Sequence, residues 1–72
     1  MDAFTLNVNN IYYLVSPIEV ESGMSYHVIM DDTAIPFVAD SDGRLQAVQG
    51  EQVYGQELLG QIAAALDHYF SS

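Results

Sequence analysis

Two carboxylates and an imidazole stand close together at His27, Asp31 and Asp32. Carboxylate oxygens suit calcium or magnesium and imidazole suits transition metals, so this trio is the first candidate for a metal site. Paired aspartates are also ordinary turn residues, because Asp tolerates left-handed backbone. The segment Asp40-Ser41-Asp42-Gly43 matches part of a calcium loop. Setting Gly43 at the loop's invariant glycine puts Val38 at the first ligand position and Gln49 at the last, and both positions need oxygen ligands of carboxylate type. That segment is therefore read as a hairpin turn. Asp67 and His68 are adjacent on a helix and diverge. No metal ligand set is expected.

Nucleophilic catalysis would need a serine with a positioned histidine and an orienting acid. The chain has six serines and two histidines, but no nucleophile-elbow glycines flank any serine. There is no lysine for Schiff-base chemistry and no glycine-rich phosphate loop. A 72-residue domain with one sheet offers little room for a closed pocket. No catalytic residue, cofactor or small-molecule substrate is expected. Arg44, the only strong base, is expected to pair with Asp40 or Asp42, at a gain of under about 1 kcal/mol if exposed.

Ten acids against one base give a formal net charge of -9. Nucleic-acid binding draws on several Lys or Arg, so direct binding is excluded, and anionic membrane surfaces are disfavoured for the same reason. Half the residues are hydrophobic, which argues against disorder. A single domain spanning 1–72 is expected. No cysteine can staple it, and a chain this short buries only about 60% of its unfolded surface. Such domains rely on a well-packed core or on self-association. The apolar run Ile11–Val15 is far too short to cross a membrane. The start Met1-Asp2-Ala3-Phe4 lacks a basic region before an apolar stretch, so no signal peptide is expected and a cytoplasmic setting follows.

Residues 3–8 alternate apolar and polar, Asn9-Asn10 supplies a two-residue hairpin turn, and a second strand follows. This register pairs Val8 with Ile11, Leu6 with Tyr13 and Phe4 with Val15, and puts all six on one face. Pro17 should break or fray the second strand. Residues 19–25 read as a loop, 26–30 as a third strand, Asp31-Asp32 as a turn and 34–39 as a fourth strand. Pro36 makes that strand a local edge or a bulge. Gly43 in the left-handed region closes a three-residue hairpin onto a fifth strand, 44–48, and 49–55 is a linker. Residues 56–70 form the one clear helix, with Leu58, Leu59, Ile62, Leu66, Tyr69 and Phe70 on its apolar stripe. The fold class is α+β: an antiparallel meander of four to five strands with one C-terminal helix packed on one face. The helix should cover Phe4, Leu6, Val8, Ile11, Tyr13, Val28 and Phe37.

One helix covers one side of a sheet. The other side should carry Tyr12, Leu14, His27, Ile29 and Pro36, with Thr5 and Asn7 between them. A solvated sheet face is mostly polar, and this one is mixed. Tyr12, Leu14, His27 and Ile29 are therefore the expected protein-contact residues of a non-catalytic interaction module. Its partner is a second copy, held through that face or a strand edge, or another protein. The alternative is an acidic inhibitor or nucleic-acid mimic. Glu19, Glu21, Asp31, Asp32, Asp40, Asp42, Glu51 and Asp67 would then meet a basic partner. A base-stacking platform lacks support, because Tyr13, Tyr26 and Tyr69 fall on core-facing positions and only Tyr12 points outward.

The run Phe4-Thr5-Leu6-Asn7-Val8-Asn9-Asn10, the turn Asp40-Ser41-Asp42-Gly43 and the helix from Gln56 resemble, in their order, small uncharacterised bacterial proteins of this length. That resemblance implies a fold and no catalytic residue. The strand-and-helix succession is also similar to one repeat of the PUR nucleic-acid-binding domains, which pair into dimers. Their basic and aromatic surface has no counterpart here, so the likeness implies pairing and not nucleic-acid binding.

Overall fold

The computed structural model describes residues 2–21 and 23–71, with Glu51 described in its backbone only. Five strands run β1 (Phe4–Val8), β2 (Ile11–Val20), β3 (Gly23–Met30), β4 (Thr33–Ala39) and β5 (Leu45–Ala47), followed by the helices α1 (Glu51–Tyr54) and α2 (Gln56–Ser71). The strands form one antiparallel sheet in chain order, β1-β2-β3-β4-β5. The architecture is an α+β meander with its main helix on one face.

The turns follow from residue type. Asn9 and Asn10 have φ of 55° and 66°, and Asp31 and Asp32 have 50° and 66°. Both pairs adopt the left-handed geometry of a two-residue hairpin, which matches the twist of the flanking strands. The register Phe4↔Val15, Leu6↔Tyr13 and Val8↔Ile11 is the one that alternation demands. At the β4–β5 turn, the Asp40 carboxylate accepts from the amides of Asp42 (2.9 Å) and Arg44 (3.0 Å). Gly43 takes φ 82° there. Asp40 thus holds Arg44 through its backbone, and the expected ion pair to the guanidinium does not form.

Pro17 does not break β2, which runs through it to Val20. Strand residues hydrogen-bond alternately to one side and the other. The pair Val8↔Ile11 closes the first turn, so odd-numbered residues of β2 face β1. Pro17 therefore turns its missing N–H toward β1 beyond the last pair, Phe4↔Val15, where no ladder bond is lost. Within the expected loop 19–25, residues 19–20 end β2 and residues 23–25 begin β3, with Glu19↔Met24 and Val20↔Gly23 closing the ladder and Glu21 in the turn. Ser22, assigned to that loop, lies outside the described residues. Pro36 obeys the same rule. Its missing donor faces β5, whose pairing stops at Phe37↔Ala47, while its carbonyl still accepts from the Val48 amide at 2.9 Å. Within the expected linker 49–55, the Gly50 carbonyl accepts from Val53 and Tyr54 and closes the turn of α1.

The core lies between the sheet and α2. Val15, Val28 and Phe37 are fully buried on the sheet side, as are Ile62 and Leu66 on the helix. The backbone of α2 comes closest to β5 and β1, the two edge strands, so the sheet curls around the helix. Phe4 stacks on Tyr69 with ring centroids 4.1 Å apart, and Phe70 packs against Phe4 and Tyr26. At the other end Asn9 Nδ2 donates to Gln61 Oε1 at 2.7 Å. Ile11, expected under the helix, is 54% exposed. The reason is local: β2 and β3 stop pairing at Val15↔Val28, so the tip of the β1–β2 hairpin projects past the ladder.

Candidate functional site

Strand alternation assigns every position of the outer face, the side away from α2. Thr5 and Asn7 come from β1, and Tyr12, Leu14, Ser16, Ile18 and Val20 from β2. Gly23, Ser25, His27 and Ile29 come from β3, Ala34, Pro36 and Val38 from β4, and Gln46 from β5. None of these positions is Asp, Glu, Lys or Arg. In a chain with ten acids this is a strong segregation. Glu21, Asp31, Asp32, Asp40 and Asp42 sit in or beside turns, Glu57 and Asp67 are on α2, and Glu19 alternates onto the helix side of β2. Among the described residues the turn acids border the outer face, Glu19, Glu57 and Asp67 lie on the helix side and Asp2 precedes β1, so the strand positions of the face are uncharged. The side chain of Glu51 lies outside the described residues.

Of the four expected contact residues, three are contiguous. His27 is half-buried at the middle of the face, with Ser16 opposite on β2 and Pro36 opposite on β4. Ile29, also half-buried, lies two residues along β3 and opposite Ala34. Continuing the β2–β3 register sets Leu14, 49% exposed, across from Ile29. Tyr12, 72% exposed, stands at the rim opposite Asn7. There the hairpins part, and a cleft of about 420 Å³ opens, lined by Ile11, Tyr12, Tyr13, Ile29, Met30, Asp31, Tyr54 and Leu58. The Tyr54 hydroxyl donates to the Met30 carbonyl at 3.0 Å and pins α1 beside it.

The face is larger than the sequence alone revealed. Ile18, Val20 and Val48 are all exposed and extend it toward the β2–β3 turn and past the end of β5. Reading 19–25 as a loop and Pro17 as a break hid the β2 members. The signal that could have found them is the alternation Ser16, Ile18, Val20, which continues the outward parity of Tyr12 and Leu14 through the proline. Ser25, the buried polar residue of the face, is shielded between Ile18 and Val38 on its two sides.

The other candidate clusters do not assemble. Among the described residues no three of His, Asp and Glu converge on a point that could hold a metal ion. His27 therefore does not join Asp31 and Asp32. The tyrosines are dispersed: Tyr26 and Tyr69 belong to the aromatic cluster at the far end of α2, Tyr54 is hydrogen-bonded beside the cleft, and Tyr12 is outward. Among the described residues no helix is long and apolar enough to cross a membrane.

No protein-family model matches the chain, and neither a curated protein nor a solved structure matches it. The likeness to a PUR repeat accordingly rests on the order of elements, and the fifth strand and α1 depart from that order.

Proposed function

We propose that this chain is a non-catalytic interaction module that pairs with a second copy of itself through the outer face of the sheet. The observation that carries the reading is the segregation of charge. Two chains of charge -9 repel each other at every surface that bears acids. The outer face is the broad surface without them, and it exposes Leu14, Ile18, Val20 and Tyr12. Contact there removes apolar area from water while the carboxylates stay at the rim in solvent.

Area sets the strength. Five strands about 4.8 Å apart and about 20 Å long give a face of about 500 Å²; the curl of the sheet makes this face convex, so two copies bury at most about 1,000 Å² in total. That is the low end of specific interfaces and corresponds to a weak, reversible dimer. Rim repulsion opposes it and is screened by salt. Light scattering at low and at high ionic strength tests the reading: a dimer that tightens with salt supports it. A monomer at both salts refutes it. Capture of a basic protein only at low salt would instead favour the acidic-mimic reading of Asp31, Asp32 and the other turn acids.

A further inference from the structure

We propose that His27 makes this pairing pH-sensitive, so that protonation of its imidazole separates the two copies. The inference rests on the outer-face dimer and adds its regulation. His27 occupies the middle of the face, half-buried. Its neighbours are Ser16 on β2, Pro36 on β4, and Ser25 and Ile29 along β3. None of these is charged, and among the described strand positions of the face Tyr12 is the only other titratable group, while Asp31 lines the cleft at the Ile29 end. An imidazolium carried into a contact centred there finds no carboxylate of its own chain to pair with. Burying an unpaired charge is costly, whereas the neutral ring is an ordinary, mostly apolar interface group.

The small area makes the device effective. A contact of at most about 1,000 Å² has little surplus stability with which to absorb two buried charges, one from each copy. A two-fold interface brings both histidines into play at once. An interface that admits only neutral rings from both copies loosens with the square of the neutral fraction, about 100-fold across the pH range in which an imidazole gains its proton.

The sign separates this effect from every other titration in the molecule. Protonating the rim carboxylates or His68, which is exposed on α2, lowers the repulsion between copies and tightens the dimer. Only a cation inside the contact loosens it.

The test is sedimentation equilibrium of the whole chain in about 0.5 M NaCl, which screens the rim charges, at about pH 8 and about pH 5.5. Wild type is compared with His27→Gln, His27→Leu and His68→Gln, each checked for folding by circular dichroism. The expected result is a wild-type dimer at the higher pH that weakens about 100-fold at the lower. Both His27 variants should stay paired at both values, and His68→Gln should follow wild type. A wild-type dimer of equal strength at both pH values overturns the switch and leaves the dimer standing. So does a loss of pairing that persists in the His27 variants. A wild-type monomer at the higher pH overturns the dimer and the switch together.

Discussion

Replacing Leu14 by Asp separates the proposed contact from the fold. Leu14 is 49% exposed and contributes nothing to the buried core. Full burial of a leucine is worth about 1.5–3 kcal/mol, so covering the exposed half of Leu14 is worth about 1 kcal/mol per copy. A two-fold contact doubles this to about 2 kcal/mol, or about 30-fold in dissociation constant, and Leu14→Ala should show that loss alone. Asp adds two carboxylates beside the apolar residues of the facing copy, at a penalty of at least the same size. The expected weakening for Leu14→Asp is therefore about 1,000-fold. Within the monomer the change costs about 1 kcal/mol at most, the span of strand preferences. The assay pairs sedimentation with thermal unfolding. The variant should be monomeric at concentrations where wild type is paired, with native circular dichroism. A variant that stays dimeric refutes the assignment of the face. A variant that unfolds shows that Leu14 supports the fold, and Leu14→Ala then carries the test.

Three further outcomes probe the scaffold. Gly60 lies within α2 with open space where a Cβ would sit, so Gly60→Ala should raise stability by about 0.5–1 kcal/mol in urea unfolding. Leu66 is fully buried between α2 and the sheet, and Leu66→Ala should cost about 2–5 kcal/mol, leaving much of the population unfolded at 37 °C by circular dichroism. Asp40→Ala removes the acceptor of the Asp42 and Arg44 amides and should cost about 1–2 kcal/mol, with amide exchange accelerating first at the β4–β5 turn.

The legible parts of the fold were those in which local chemistry and pairing agree. Asn9-Asn10 and the flanking alternation lead to the observed β1–β2 register, and Asp40 to Gly43 leads to the observed hairpin turn. The helix from Gln56 is read from the stripe of Leu59, Ile62 and Leu66, all buried. The prolines misled in one case and not in the other. A proline's cost depends on whether its missing donor would face a partner strand. For Pro17 that depends on where β1 stops, which is a tertiary fact. Residues 19–25 carry two glutamates, a glycine and serines, and the strand state of Glu19, Val20, Gly23, Met24 and Ser25 comes from pairing rather than preference. The candidate face was legible in its centre, Leu14, His27 and Ile29, because parity alone sets it. Ile18, Val20 and Val48 were not, because their membership depends on strand lengths. The absence of carboxylates from the face became visible only when strands and turns had been told apart.

The curl of the sheet around α2 has a kinetic corollary. Every strand pairing joins neighbours in the chain through a short turn. The sheet therefore assembles by successive small loop closures, each with a modest entropy cost. The contact of α2 with β1 is different. The stack of Phe4 on Tyr69 and the bond from Asn9 to Gln61 join opposite ends of the described chain. They close the longest loop in the molecule, so their entropy is lost last and regained first. Where α2 is undocked, the apolar inner surface of the meander, with Val15, Val28 and Phe37 at its centre, is open to solvent. The aromatic cluster of Phe4, Tyr26, Tyr69 and Phe70 thus ties the first strand to the last turn of α2, across the longest stretch of chain that any ring contact spans here.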